Sequence, residues 1–205
     1  MQKIKKKYKN MKGMGDTMAR QIGLKDIHIA ILKKDDSTGI EYETPIKLER
    51  AIDAKLSPKI SSEKLYSDDN LEEIVQIFDS IDVEIGLNQL SLESRALLQG
   101  SKLVKGTLLE TKSDIVPTLA LGFKSKKGNG RYRYVWLYKG KFEMTSDEYE
   151  TETDKVKTST ASLKGSFYAR DNDGAYRFFL DEDAKDVDTA TKYVWFDSVQ
   201  EQPSA

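Results

Sequence analysis

Few side chains in this sequence are grouped in a way that does chemistry. His28 is the single histidine and cysteine is absent, which removes imidazole pairs, thiolate nucleophiles, disulfides and thiolate metal sites. Carboxylates are plentiful, with Asp68-Asp69, Glu72-Glu73 and Asp82 near Glu84. Glycoside chemistry needs two of them held across a sugar cleft, and no spacing here marks such a pair. Gly128-Asn129-Gly130 lacks the following lysine and hydroxyl residue of a phosphate loop and leads into a strand pattern, so it reads as a hairpin turn. Asp171-Asn172-Asp173-Gly174 opens like a calcium loop, but the remaining oxygen ligands and terminal glutamate are missing, and Tyr176 and Phe178 intervene. It reads as a hairpin turn into a strand over residues 175–180. Arg131 and Arg133 alternate with Tyr132, Tyr134, Trp136 and Tyr138, a combination that suits stacked bases and phosphates.

The element carrying those rings favours another use. In an extended strand the four aromatic residues point one way, while Val135 and Leu137 point the other. A strand apolar on both faces lies between two layers or in a subunit contact. Tyr132, Tyr134, Val135, Trp136, Leu137 and Tyr138 are therefore candidates for a core or intersubunit strand. Residues 139–141, Lys-Gly-Lys, loosen or bulge it before Phe142.

Around it the chain reads as many short strands. Ile27, Ile29 and Ile31 alternate with His28 and Ala30, which places the histidine in a structural or solvent-facing position within a strand. Pro45 interrupts the next strand, and Ile52, Ala54 and Leu56 resume the alternation. Residues 57–70, SPKISSEKLYSDDN, are polar and turn-prone, a long loop for a compact domain. Ile81, Val83 and Ile85 then face one way, while Asp82 and Glu84 give an acidic, wet face. Residues 90–98 change to helical period, with Ser91 as cap and Gly100 as stop. A hairpin over residues 102–110 follows. The expected fold is mainly β, an antiparallel sandwich or barrel-like domain with one flanking helix.

With 205 residues and 38% hydrophobic content the chain can bury one core without a metal or disulfide staple. Its 33 basic and 34 acidic residues nearly cancel, which argues against a duplex-coating protein. The balance hides an asymmetry: residues 1–20 carry six lysines and one arginine against Asp16 alone. We expect residues 1–17 to be a disordered basic leader or upstream-start extension, 18–199 the folded domain, and 200–205 a polar tail. The leader is too poor in apolar residues for a signal peptide or membrane span.

Ile22-Gly23-Leu24-Lys25-Asp26, Leu65-Tyr66-Ser67-Asp68-Asp69, residues 81–86 (IDVEIG), Ala120-Leu121-Gly122-Phe123, residues 131–142 (RYRYVWLYKGKF) and Trp195-Phe196-Asp197-Ser198-Val199 follow one another in an order and spacing that carry a resemblance. Together they resemble the major tail protein family of long, noncontractile-tailed bacteriophages, especially those of Gram-positive hosts. The resemblance runs from about Met18 to Val199.

It implies a tail tube fold and hexameric rings stacked into a DNA conduit in the virion tail, after synthesis in the host cytoplasm. It also implies no catalysis, no cofactor and no metal. Partners would be identical subunits, the tape-measure protein, and tail terminator and distal tail proteins, with DNA passing through unbound and no membrane insertion. In such a ring Asp82 and Glu84 are candidate lumen residues, repelling the DNA backbone. The loop bearing Lys59, Leu65, Tyr66, Asp68 and Asp69 is the candidate bridge between rings. The alternative is a soluble nucleic-acid-binding module using the basic leader and the aromatic strand.

Overall fold

A computed structural model describes residues 21–67, 70–144, 161–185, 187–188 and 190–202; for residues 21–22, 63–67 and 70–75 the description is of the backbone alone. The strands are β1 (Gln21–Asp36), β2 (Gly39–Tyr42), β3 (Ile46–Lys47), β4 (Ala51–Ser67), β5 (Asn70–Leu87), β6 (Lys102–Val104), β7 (Thr107–Leu109), β8 (Leu119–Lys127), β9 (Tyr132–Phe142), β10 (Ala161–Tyr168) and β11 (Arg177–Asp181). The helix α1 spans Leu92–Gln99.

Nine strands form one antiparallel sheet in the order β2-β1-β8-β9-β10-β5-β4, with β3 beside β1 and β11 beside β9. The β6-β7 pair is a separate small hairpin, turned by Lys105 and Gly106 at positive φ. The sheet curls until β1 and β4 approach each other, but no ladder joins them. A mainly β, antiparallel domain with a flanking helix is thus what the alternating sequence folds into.

The inner face gathers Ile27 and Ile29 of β1, Leu119, Leu121 and Phe123 of β8, Val135 and Leu137 of β9, Leu163 and Phe167 of β10, and Ile81, Val83, Ile85 and Leu87 of β5. Each such side chain, fully buried, contributes about 1.5–3 kcal/mol of transfer free energy. Leu98 of α1 closes one side of this cluster. The helix is held locally: the Ser91 hydroxyl accepts from Ser94 N at 3.1 Å, Glu49 Oε1 accepts from Ser91 N at 3.0 Å, and Gly100 takes the left-handed conformation at φ 70°.

A second apolar cluster lies on the opposite face of the same sheet. Ala30, Ala120, Tyr134, Trp136, Tyr138 and Leu180 pack under Trp195, which comes from the turn-rich chain after β11. The Trp136 indole N–H donates to Trp195 O at 3.1 Å, and the Tyr138 hydroxyl donates to Gln200 O at 2.8 Å. Gln200 is thus tied to the body.

Two features bear on the sequence reading. The register between β8 and β9 shifts between Leu119 and Leu121, so Leu121 pairs with Leu137 and Leu119 with Gly140. That bulge, in the Lys-Gly-Lys region expected to loosen the strand, reverses the alternation and lets Phe142 rejoin the inner cluster. The second is a correction. Residues 171–174 turn the chain, but the strands they separate do not form a hairpin. Tyr168 pairs with Lys139 and Arg177 with Leu137, so β10 and β11 run in the same direction along one edge of β9. The intervening segment steps out where β9 bulges and is held by Arg170, whose guanidinium pairs with Asp173 and with Glu201 at 2.8 Å and lies 4.0 Å from the Tyr138 ring centre.

Candidate functional site

The exposed face of β4, β5 and β10 carries the two proposed lumen carboxylates. Glu84 pairs in register with Lys55 on one side and Lys164 on the other, and Asp82 with Ser57 and Ser166. Asp82 is half-buried on this outer side and Glu84 is exposed, while Ile81, Val83 and Ile85 between them point into the core. The face is wet as expected, but it is not acidic, and that reading is corrected. Lys59 Nζ stands 2.7 Å from Asp82 Oδ2, and Lys164 Nζ 3.8 Å from Glu84 Oε1. The Lys59 ammonium holds the Asp82 carboxyl below its ordinary value. Cross-strand pairing dictates the pattern, since opposite charges placed directly across a ladder stabilise it.

The polar stretch expected to be a loop is the distal half of a long hairpin. Ladder pairing between β4 and β5 continues from Pro58–Ile81 out to Ser67–Asn70. The cause lies in the returning strand: Ile74, Val75 and Ile77 are strong strand formers and pair the polar Lys64, Glu63 and Ser61, and Phe78 pairs Ile60. A register shift at Lys59 and Ile60 leaves Asp79 unpaired. Near that bulge the hairpin leaves the core. Phe78 still stacks on Tyr176, ring centres 3.9 Å apart, whereas Ile60 and Ile77 are each more than half exposed.

Lys59 therefore belongs to a paired strand, as do the backbones of Leu65 and Tyr66; Asp68 and Asp69 lie outside the described residues. The outer edge of β4 has no strand partner among the described residues, and Pro58, which has no N–H to offer, sits in that edge strand.

Tyr134, Val135, Trp136, Leu137 and Tyr138 are all buried, and Tyr132 is half-buried. One edge of β9 is occupied by β8 and the other by β10 and β11, which leaves no ladder for another chain. Nor are Tyr134, Trp136 and Tyr138 an open stacking platform, because the segment carrying Trp195 covers them. His28 stacks on Phe196 with centroids 4.1 Å apart, and its burial lowers its pKa. Asp171 and Asp173, which resembled the start of a calcium loop, are committed to Lys139 at 2.7 Å and to Arg170.

Where β1 and β4 approach without pairing, a cavity of about 570 Å³ opens. Leu24, Leu56, Phe123 and Val135 form its apolar wall, with Arg133, Arg177, Asp53 and Phe179 also lining it. Arg133 is clamped by Asp181 at 2.6 Å. Asp181 is shared with the buried Lys127, which also meets Asp183 at 2.6 Å. Arg177 makes no ion pair among the described residues; its guanidinium lies 4.5 Å from the Phe179 ring centre and 5.8 Å from that of Tyr176. Ile52 and Phe179 are 56% and 45% exposed at this site, more apolar surface than a closed seam would leave. Sequence reasoning missed this pocket because it joins five strands distant in the chain, and no local pattern marks it.

No helix among the described residues is long and apolar enough to cross a membrane. No protein-family model matches the chain, and no curated protein matches it significantly.

Proposed function

We propose that this chain is a structural, self-assembling subunit of a bacteriophage tail tube, forming stacked rings around a DNA channel and catalysing no reaction. The observation that carries the reading is the β4-β5 hairpin. Its outer half holds two strands paired beyond the core, exposes Ile60 and Ile77, and leaves the β4 edge unpaired among the described residues. A long unpaired edge is a liability for a solitary molecule and an asset for one that assembles. Closed or stacked assembly of identical copies covers such surfaces.

In this reading the face bearing Asp82 and Glu84 lines the channel. Its alternation of acid and lysine presents DNA with no continuous run of positive charge, so the duplex slides without being captured. Folding is assigned to residues 18–199. The natural contacts are neighbouring copies, the tape-measure protein, and the terminator and distal proteins of the tail, all within the virion.

The test is negative-stain microscopy of the concentrated protein, beginning at Met1 and, separately, at Met18. Rings or tubes are expected from both. Sedimentation as a monomer at every concentration, with no tubes on the grids, would overturn the reading. The nucleic-acid module predicts instead that removing residues 1–17 abolishes salt-sensitive DNA binding.

A further inference from the structure

The cavity at the seam between β1 and β4 joins an apolar wall to polar groups that the fold itself leaves unused. Its volume of about 570 Å³ falls within the roughly 300–1,000 Å³ of small-molecule sites. Leu24, Leu56, Phe123 and Val135 supply the apolar wall. Ser125 follows Phe123 on the same face of β8 and lines the cavity. It is only 8% exposed, yet its hydroxyl makes no hydrogen bond among the described residues. A hydroxyl so deeply placed calls for a partner, and the cavity is where one can reach it.

The surrounding charges set the sign of the ligand. Asp53, the carboxylate lining the cavity, accepts from Gly86 N at 3.1 Å and is engaged with its own ladder. Arg133 is neutralised by Asp181 at 2.6 Å. Arg177 keeps its charge, since its guanidinium makes neither an ion pair nor a hydrogen bond among the described residues. It lies over the Phe179 ring, 4.5 Å from the centre. Contact with the ring restrains the guanidinium while leaving its N–H edge open, the arrangement that pairs with a carboxylate through two parallel hydrogen bonds.

We infer that this cavity binds a small amphiphilic carboxylate, its head paired with Arg177 and its apolar body against Leu24, Leu56, Phe123 and Val135, with Ser125 open to one further hydrogen bond. The exposed Ile52 and Phe179 form the apolar rim that such a body covers. A neutral or cationic amphiphile would leave Arg177 unpaired. The site lies within one protomer, so it stands apart from the tube reading.

The test is a titration of the full-length protein with dansylaminoundecanoate, followed by dansyl fluorescence. Dodecanoate, dodecanol and dodecyltrimethylammonium serve as competitors below their micelle concentrations. Dodecanoate is expected to displace the probe, and the neutral and cationic chains to do so at least about tenfold less well. Arg177→Gln should weaken dodecanoate about tenfold and leave dodecanol unchanged. Arg177→Lys, which keeps the charge without the fork, should fall between. Ala54→Phe fills the cavity and should remove probe binding; thermal melts show which variants are folded, and the half-buried Arg177 can be replaced without touching the core. No probe binding to the parent, equal affinity for the three chains, or carboxylate binding indifferent to Arg177→Gln overturns the inference.

Discussion

Trp136 lies against the backbone of Gly122, its cross-strand partner between β9 and β8, so closely that a Cβ on Gly122 would stand 2.6 Å from the indole ring. The ring cannot retreat. It is fully buried, and its N–H is bonded to Trp195 O. This contact joins the central strand to the segment that covers the sheet's second face. Trp195 in turn stacks on Phe178, ring centres 5.4 Å apart.

Gly122→Ala therefore overpacks the second cluster rather than simply adding strand propensity. The expected cost is about 1–3 kcal/mol. In urea denaturation the midpoint should fall with the slope unchanged, and the near-ultraviolet signal of the tryptophans should change. A midpoint equal to that of the parent would show that the indole shifts freely.

Acid should weaken the fold through two carboxyls. The Lys124 ammonium, with that of Lys47, holds Asp26 at about 2. Burial alone would raise Asp181, but Lys127 and Arg133 outweigh it and bring that carboxyl to about 2 as well. Both folded values lie below the unfolded value near ~3.9, so their stabilisation is complete above about pH 5 and lost as the pH falls through about 2. Urea midpoints should be steady from neutral pH to about 5 and then drop. Asp26→Asn with Asp181→Asn should begin lower at neutral pH and lose less on acidification; an undiminished acid loss in that variant would assign it to other groups.

What the sequence made legible followed from local rules. Ser91 and Gly100 mark α1 because capping needs only neighbours, and the two-faced pattern of β9 is visible in eight consecutive residues. What escaped depends on partners far along the chain. The polar run before the hairpin tip became strand because residues 74–78 pair with it. Likewise, β10 and β11 became collinear because both take the same edge of β9. Lys127, Lys139 and Arg170 are nearly buried with acidic partners more than 30 residues away, or across a turn that no local pattern fixes. The acids Asp82 and Glu84 were visible, but the lysines that neutralise them sit on other strands.

That neutralisation can be removed without touching the core. Asp82→Asn with Glu84→Gln leaves Lys55, Lys59 and Lys164 on one face without those two carboxylates. Because the pairs are largely exposed, the urea midpoint should barely move. DNA affinity at low salt, followed by fluorescence anisotropy, should rise at least about tenfold and fall away as salt is added. Equal affinity for parent and variant would remove this face from any account of DNA passage.

The hairpin offers the sharpest separation of folding from assembly. Ile60 and Phe78 face each other just beyond the bulge at Asp79, and no fully buried core residue comes from the described side chains between them. Replacing residues 61–77 with an Asn-Gly turn should close a tight hairpin at that pair. The Phe78–Tyr176 stack remains, so the shortened protein should melt within a few degrees of the parent, about the shift produced by 1 kcal/mol or less in a domain of this size. If the outer hairpin serves assembly, this folded protomer forms no tubes at concentrations where the parent does. Tubes of ordinary length from the shortened chain would assign stacking to another surface, whereas a large loss of thermal stability would place the hairpin inside the folding unit.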